Sequence, residues 1–236
     1  MKIRTEQYAQ THILYDAETL SDAPKALFDP QALAQDQKIN RLGRGAAYLF
    51  SYHGINVVMR HYQRGGFMRY VSRDSYFYAG LSNTRMWREF HLMVHLYELG
   101  LPVPRPLATR CRRHLFLYSG DLVTQTLLNS QTLAEYLQHS HLSKEHWLNL
   151  GATLARFHRE GVYHADLNAN NIMIDQQMQF YLIDFDKGEL RAKQPAPWQE
   201  DNLQRLLRSF RKLQNRSPQM NFSENDWQAI NTGYRA

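Results

Sequence analysis

The chain has 236 residues, too many for one small core and few for two independent domains, so a single catalytic domain built from two lobes is expected. Its 43% hydrophobic and 21% charged residues are typical of a folded protein and exclude a disordered or low-complexity chain. The N-terminal sequence MKIRTEQYAQ lacks the apolar core of a signal peptide, no segment approaches the roughly 20 apolar residues of a membrane span, and a net charge of +6 favours an acidic partner.

Strands dominate the predicted first half. A strand is predicted at residues 12–15, and residues 42–50 contain a Gly-rich turn that leads into another strand. Residues 52–54 join that strand to a second one at 55–62, so the pair forms a hairpin. Apolar residues at helical spacing then predict a helix over 85–99, which Gly100 and a proline-rich segment end.

The sheet of the first half is completed by two further predicted strands, at 106–110 and 114–118. The residues from 109 to 113 are polar and basic, and we interpret them as a turn in which the single cysteine, Cys111, is incidental. One cysteine excludes an intramolecular disulfide and agrees with a reducing compartment. Residues 121–125 are expected to cross to the second half.

Helices dominate the predicted second half. They are expected at 132–138, from 143 to near 161, and from about 199 onward, with a short hairpin at 172–175 and 180–184 between them. A strand-rich half followed by a helix-rich half predicts an α+β fold. We assign residues 1–124 to an N-lobe and residues 125–236 to a C-lobe.

The last predicted helix is amphipathic and basic. Its apolar stripe consists of Leu203, Leu206, Leu207, Phe210 and Leu213, and its cations are Arg205, Arg208, Arg211 and Lys212. Such a helix can lie on an anionic membrane, or its stripe can pack into the second lobe with the cations outside. We favour packing in the core.

The segment HADLNANN, residues 164–171, follows a predicted helix and precedes a strand. It sets Asp166 five residues before Asn171, and a phosphoryl-transfer site needs one group to orient the attacking hydroxyl and others to hold Mg²⁺. We predict Asp166 as the catalytic base and Asn171 as a metal ligand. The alternative is that Asp and Asn only stabilise the loop through bonds to its own backbone. The adjacent Asn170 is set aside because its spacing from Asp166 is four.

The segment Ile183-Asp184-Phe185-Asp186 supplies the second half of this pattern. An Asp directly after a strand is where a metal-chelating carboxylate projects, so Asp184 is the second predicted metal ligand. In protein kinases a Gly follows the Phe, whereas Asp186 stands here and Gly188 comes two residues later. The departure keeps Asp184 but argues against an in/out switch of this motif.

Nucleotide-binding elements are predicted in the first half. Gly43 and Gly45 lie between strands and can bring backbone N–H groups to phosphates, although such glycines often mark plain turns. Arg60 ends the run Val57-Val58-Met59-Arg60, where a kinase has a phosphate-binding Lys, and Arg binds phosphate bidentately. Glu89 on the following helix is predicted to pair with Arg60. The alternatives are an exposed strand Arg and a solvated helix carboxylate.

These motifs occur in kinase order, and the chain resembles the protein-kinase-fold phosphotransferases, most of all the 3-deoxy-D-manno-octulosonic acid (Kdo) kinases of lipopolysaccharide core assembly. The resemblance covers nearly the whole chain. It is carried by RHYQRGG at 60–66, residues 84–90, LPVPRP at 101–106, GDLVT at 120–124, HADLNANN at 164–171 and IDFDKG at 183–188. RHYQRGG discriminates most, because generic kinases have no equivalent after this strand.

The resemblance implies a protein-kinase-like fold that uses ATP and Mg²⁺ to phosphorylate a Kdo hydroxyl on a lipid A precursor. It also implies peripheral attachment to the anionic cytoplasmic face of the inner membrane. About fifty residues follow Asp184, too few for the peptide-docking helices of a protein kinase. A basic loop with Arg64, Arg69 and Arg73 is a candidate acceptor site, with a solvated surface loop as the alternative.

Other functions stay open at this point. The same fold phosphorylates other small acceptors, such as a core heptose or an aminoglycoside, and an inactive nucleotide-binding module is a further alternative. Nucleic acid has only the basic charge in its favour, so we set it aside. No motif indicates the oligomeric state.

Overall fold

The computed structural model describes residues 1–20, 24–29, 40–42, 47–62, 75–192 and 196–236, with backbone alone at 40–42. These residues form two compact units. Unit 1 comprises Met1–Glu98 and Pro104–Thr126, and unit 2 comprises Leu99–Val103 and Leu127–Ala236. Five of the sequence-predicted site residues, Gly43, Gly45, Arg64, Arg69 and Arg73, lie outside the described ranges.

Unit 1 is built on an antiparallel sheet of eight described strands. They are β1 (Ile3–Tyr8), β2 (Thr11–Asp16), β3 (Asn40–Leu42), β4 (Ala47–Tyr52), β5 (Ile55–His61), β6 (Tyr76–Phe77), β7 (Pro106–His114) and β8 (Leu117–Gln125). The order is β1-β2-β7-β8-β5-β4-β3, and β6 also pairs with β8. The predicted β4–β5 hairpin is confirmed. His53 and Gly54 both have positive φ in its turn, as a tight hairpin turn requires.

The interpretation of residues 109–113 as a turn is wrong, because β7 runs through them to His114. Buried Thr109 and Cys111 alternate with the half-buried Arg110 and Arg112, which is the period-two pattern of a strand with one buried face. The alternation is hard to recognise in the sequence because arginines occupy the half-buried positions. Burial raises the pKa of the Cys111 thiol to about 11, so the thiol stays protonated and unreactive. Residues 121–125 likewise belong to β8 rather than to a crossing segment.

The predicted helix of unit 1 is confirmed as α1 (Arg85–Glu98), and Gly100 follows it with a positive φ. Met86, Phe90, Met93 and Leu96 are buried on α1. A second apolar cluster on the sheet includes Ile13, Phe50, Val57, Leu107 and Val123. Apolar side chains therefore pack against the sheet in both places, and this burial specifies the strand register.

Unit 2 is mostly helical in its described part. Its helices are α2 (Leu133–His139), α3 (Lys144–Arg159), α4 (Pro197–Arg216) and α5 (Glu224–Arg235), and its short strands are β9 (Gln131–Thr132), β10 (Val162–Tyr163), β11 (Ile172–Ile174), β12 (Phe180–Leu182) and β13 (Glu189–Leu190). Side chains cap three of the helices: Thr132 caps α2, Ser143 caps α3 and Ser223 caps α5. The two predicted helices at 132–138 and from 143 are thus confirmed with boundaries set by their caps.

The last predicted helix corresponds to α4, which ends at Arg216, and α5 was not predicted. The apolar stripe of α4 is core as favoured, since Leu203, Leu206, Leu207 and Phe210 are all buried. Helix α5 packs on α3 through two glycines. A Cβ on Gly151 would meet the backbone of Ile230, and a Cβ on Gly233 would meet the backbone of Leu148. The two helix backbones therefore approach closely at this crossing.

The α+β prediction is confirmed by the strand-rich unit 1 and the helix-rich unit 2. Within the ranges that the structure describes, no helix combines the length and the apolar character needed to cross a membrane.

Candidate active site

The HADLNANN segment is a loop of unit 2 between β10 and β11. Leu167 and Ala169 are buried and fasten the loop to the unit. The backbone N–H of Ala169 donates to the Ser209 hydroxyl on α4 (3.1 Å), and its carbonyl accepts from Ala134 N–H on α2 (3.1 Å). Asp166, directly before these anchors, is exposed. The loop is thus held by its apolar residues and presents the Asp166 carboxylate outward.

The backbone carbonyl of Asp166 accepts hydrogen bonds from the side-chain amides of Asn168 (2.9 Å) and Asn171 (2.8 Å). A carbonyl only accepts, so the nitrogen of the Asn171 amide must face it. This hydrogen bond therefore uses the Nδ2 atom of Asn171 and does not use its Oδ1 atom. Asn170 is exposed, and its backbone N–H donates to Asn168 Oδ1 (2.9 Å). Asn168 was not predicted as part of the loop's support.

Asp184 follows β12 and has a φ of +64°, in the left-handed region that Asp and Asn tolerate better than most residues. Two contacts fix its position. The backbone N–H of the preceding Ile183 donates to the Asn171 carbonyl (3.0 Å), and the following Phe185 is fully buried. The Phe185 ring lies 4.8 Å from the His164 ring centroid and 6.1 Å from that of Phe157.

His164 connects the two halves of the motif. Its Nδ1 accepts from the Asp166 backbone N–H (3.2 Å), so its Nε2 carries the proton that is donated to the Ile183 carbonyl (2.9 Å). Burial lowers the pKa of His164, although the charges of Asp184 and Asp166 act in the opposite direction. The ring is therefore neutral, and it connects the HADLNANN loop to the residue before Asp184. Within unit 2, hydrogen bonds thus join the loop that carries Asp166 and Asn171 to Ile183, the residue before Asp184.

A buried polar chain supports the HADLNANN loop from the two last helices. Tyr234 OH on α5 donates to His158 Nδ1 (2.7 Å), His158 Nε2 donates to Asn202 Oδ1 (3.3 Å), and Asn202 Nδ2 donates to the His164 carbonyl (2.8 Å). The Gly151 and Gly233 crossing is what lets Tyr234 reach His158. Sequence reasoning missed these residues. The available signal was Asn202, a polar residue within the apolar stripe of α4.

We expect the stability of the protein to fall by about 2 kcal/mol when the pH is lowered from 7.5 to 5, because of His158. Burial lowers the pKa of His158 from 6.5 to about 4 in the folded chain. Since the unfolded chain binds the proton first, the contribution is complete above pH 6.5 and is lost as the pH falls toward 4. The titratable group that faces the ring is Tyr234, whose pKa burial raises, so it stays neutral in this range.

Urea unfolding at the two pH values measures this loss. His158→Gln should reduce the loss of stability by about 2 kcal/mol, whereas His139→Gln, at an exposed histidine of α2, should leave the loss unchanged. An equal pH dependence in the wild type and in His158→Gln would contradict the assignment.

The two other predicted site residues within the described ranges, Arg60 and Glu89, lie in unit 1. Arg60 Nη2 on β5 contacts both carboxylate oxygens of Glu89 on α1 at 2.5 Å, and the Glu89 side chain is almost fully buried. Tyr62, which was not predicted, completes the group: its hydroxyl bonds Glu89 and accepts from Arg60 (3.1 Å). The structure therefore pairs Arg60 with Glu89, and the role of the pair toward a nucleotide stays a prediction.

The GDLVT segment belongs to β8 and has a structural role. Burial alone would raise the pKa of Asp121, but hydrogen bonds from His61 (2.7 Å) and Arg110 (2.9 Å), together with their charges, hold it below its usual value. Gly120 has no room for a side chain, because a Cβ would meet Met86 and the Arg110 carbonyl. The motif fixes where α1 lies on the sheet, and α1 carries Glu89.

The sequence pattern described as the lipopolysaccharide kinase (Kdo/WaaP) family matches residues 33–234. This chain belongs to that family. As a lipopolysaccharide kinase family member it is a phosphotransferase with an alcohol group as acceptor, and its α+β architecture is of the protein-kinase-like type.

Curated relatives agree with this membership. The chain is 38% identical over 236 residues to a 3-deoxy-D-manno-octulosonic acid kinase of Vibrio vulnificus, with 99% of each chain covered. It is 42% identical over 211 residues to a protein of the same name from Xylella fastidiosa, which covers 88% of this chain and 83% of that one. It is 35% identical over 212 residues to another from Vibrio cholerae, with 89% of each covered.

Proposed function

We propose that this lipopolysaccharide kinase transfers the γ-phosphoryl group of ATP to a hydroxyl of Kdo on a lipid A precursor. The observation that carries the proposal is the exposed Asp166 on a loop whose hydrogen bonds join it to Asn171 and to the backbone beside Asp184. The acceptor is taken from the names of relatives that match over 83 to 99% of their own length. Phosphoryl transfer depends on positioning and charge stabilisation more than on covalent participation of the protein.

In this proposal Asp166 accepts a hydrogen bond from the acceptor hydroxyl and directs its oxygen toward the γ-phosphorus. A bond forms between that oxygen and phosphorus, the bond from phosphorus to the β,γ-bridging oxygen breaks, and ADP leaves. The hydroxyl proton passes to the Asp166 carboxylate and then to solvent. An exposed carboxylate is accessible for both exchanges. The loop anchors at Ala169 hold it in place without using the carboxylate itself.

The residues present fit Mg²⁺. The Oδ1 atom of Asn171 is left over by the bond of its amide nitrogen to the Asp166 carbonyl, and Asp184 supplies a carboxylate. Amide and carboxylate oxygens are the hard ligands that Mg²⁺ takes, together with phosphate oxygens of a nucleotide. When bound, the ion neutralises charge on the phosphates. Asn171 and Asp184 hold it, and His164 fixes the distance between the segments that carry them.

We also infer that Arg60 binds the nucleotide phosphates while Glu89 holds its guanidinium in position. Gly43 and Gly45 would supply backbone N–H groups to the same phosphates. In this interpretation residues 1–124 are the N-lobe and residues 125–236 the C-lobe of the kinase. Arg64, Arg69 and Arg73 would then attract the carboxylate and phosphates of the acceptor at the cytoplasmic face of the inner membrane.

Glu89→Gln is expected to raise the KM for ATP about tenfold, because the neutral amide no longer holds the Arg60 guanidinium by a charged hydrogen bond. Steady-state kinetics with varied ATP measures the effect. Glu98→Gln makes the same chemical change on the same helix at a half-exposed carboxylate and should leave the KM unchanged. An unaltered KM in Glu89→Gln would remove Glu89 from the nucleotide site.

The acceptor is tested by incubating the purified chain with Mg-ATP and either a Kdo-bearing lipid A precursor or a heptose-bearing core. Mass spectrometry of the products should find one added phosphate on the Kdo-bearing precursor, with fragments that place it on Kdo. Phosphate on the heptose alone would replace the proposed acceptor. A folded wild-type chain that transfers phosphate to neither sugar would contradict the proposal.

A further inference from the structure

The end of the β7–β8 hairpin in unit 1 carries a group of exposed apolar side chains, which we name the apolar tip. Its members and their exposed fractions are Phe77 (69%), Leu115 (83%), Phe116 (73%) and Leu117 (39%). Leu115 and Phe116 form the turn between the two strands, and Phe77 on β6 pairs with Leu117 on β8. Single exposed leucines are ordinary, but four large apolar side chains side by side at one hairpin end indicate an interaction site.

Both carbonyls of the turn in the apolar tip already accept hydrogen bonds within the protein. The Leu115 carbonyl accepts from Arg113 Nε (3.0 Å), and the Phe116 carbonyl accepts from the Tyr78 N–H (2.8 Å). Removing an unpaired carbonyl from water is costly, and a bonded one is transferred far more easily. The turn can therefore enter an environment with little water at a lower cost than a turn whose carbonyls bond only to solvent.

Basic residues and tyrosines flank the apolar tip along β6, β7 and β8. The basic residues, which we name the basic collar, are Arg112, Arg113 and His114. The tyrosines are Tyr76 and Tyr78, which are half-buried, and Tyr118, which is buried. The Tyr76 and Tyr118 rings stack at 5.4 Å, and the Arg113 guanidinium lies 4.8 Å from the Tyr78 centroid. Residues 75–80 and 106–120 contain no Asp or Glu. Cations match anionic headgroups, and tyrosines prefer the boundary between water and hydrocarbon.

We propose that the apolar tip inserts into the surface of an anionic phospholipid bilayer while the basic collar contacts the headgroups. The inference rests on the proposed function, because it explains how the kinase reaches an acceptor that is anchored in lipid. A few inserted side chains and a small number of cations give weak, reversible attachment. That suits an enzyme that must move between acceptors in the membrane plane.

A second copy of this chain fits the tip less well. A stable interface buries about 800 Å² on each partner, more than four side chains at a hairpin end supply. A symmetric contact between two tips would also bring Arg112 and Arg113 of both copies together, with like charges unopposed by any acidic residue of the two segments. A bilayer offers the apolar layer and the opposite charge at once.

Co-sedimentation of the full chain with vesicles tests the proposal. The wild type should bind vesicles of phosphatidylethanolamine with phosphatidylglycerol, and more weakly those of phosphatidylcholine alone. The double variant Leu115→Ser with Phe116→Ser should lower the partition coefficient by about tenfold or more. His114→Glu, which adds a negative charge to the basic collar, should lower it about fivefold. The matched control is Leu128→Ser with Leu190→Ser, at two leucines of unit 2 that are 62% and 51% exposed.

Binding of the tip double variant equal to that of the wild type would overturn the proposal. So would a wild-type dimer in sedimentation equilibrium that dissociates in the double variant while vesicle binding is unchanged, since a second copy would then cover the tip.

Activity separates this inference from the proposed function. With a Kdo acceptor stripped of its acyl chains, the wild type and the tip double variant should transfer phosphate at the same rate. With the acceptor embedded in vesicles, only the variant should slow. If the wild type phosphorylates neither form of the acceptor, the proposed function is contradicted. The vesicle-binding measurement then tests the membrane insertion of the apolar tip by itself.

Discussion

Asp166→Ala should lower the turnover number for phosphoryl transfer by about 10²–10⁴-fold, the range typical of a positioned general base. The structure makes this substitution informative. The Asp166 carbonyl accepts hydrogen bonds from Asn168 and Asn171, and its N–H donates to His164. The bonds through which Asp166 stabilises the loop are therefore made by its backbone. The exposed carboxylate is the part that the substitution removes. A loss of turnover is therefore expected without a loss of stability.

The matched control is Asn170→Ala, an exposed residue of the same loop. Single-turnover rates with Mg-ATP and the Kdo-bearing precursor, together with thermal unfolding, measure both variants. Near-normal transfer by Asp166→Ala would remove Asp166 from its role. A lowered melting temperature that matches the lost turnover would instead make it a residue that stabilises the loop.

Asp184→Asn is the second large expected effect, a fall in turnover of about 10²-fold or more with a higher Mg²⁺ concentration for half-maximal rate. Asn has the same shape as Asp and tolerates the positive φ at this position, so the backbone is retained. The substitution removes one negative charge next to the neutral His164 ring and weakens the oxygen donor that Mg²⁺ requires.

Asp201→Asn is the control, since it makes the same chemical change at an exposed carboxylate of α4. Turnover is measured as a function of Mg²⁺ concentration for the wild type and both variants. Calorimetric binding of Mn²⁺ with a non-hydrolysable nucleotide gives a readout that does not depend on turnover. Unchanged metal dependence and unchanged binding in Asp184→Asn would place the metal on other residues.

Several elements follow from local pattern and were therefore predictable. The β4–β5 hairpin comes from a short turn with Gly54 between apolar strands, and α1 comes from the helical spacing of its buried residues. The candidate site residues of unit 2 were found in the same way, because motif spacing within one loop places Asp166 and Asn171 together. The pairing of Arg60 with Glu89 was predicted from their positions on a strand and on the helix that follows it.

Other features depend on contacts between distant segments. Tyr234, His158 and Asn202 meet because α5 approaches α3 at Gly151 and Gly233, and no local pattern specifies that crossing. The strand β7 was hidden because its exposed face carries arginines, and only its pairing with β2 and β8 reveals the buried face. Tyr62 likewise joins the Arg60–Glu89 pair from the position directly after β5, and no spacing in the sequence distinguishes it.

The sequence by itself determined the family and the class of reaction, and it predicts Asp166, Asn171 and Asp184 as the residues that carry the chemistry, because they lie in short motifs with the spacing that phosphoryl transfer needs. The tertiary structure decided how those residues are held: by a neutral, buried His164, by a polar chain from the last helix, and by hydrogen bonds of the Ala169 backbone to α2 and α4. It also decided which apolar side chains stay outside, as at Leu115 and Phe116. Burial and long-range hydrogen bonding are properties of the folded chain, and no local run of residues specifies them.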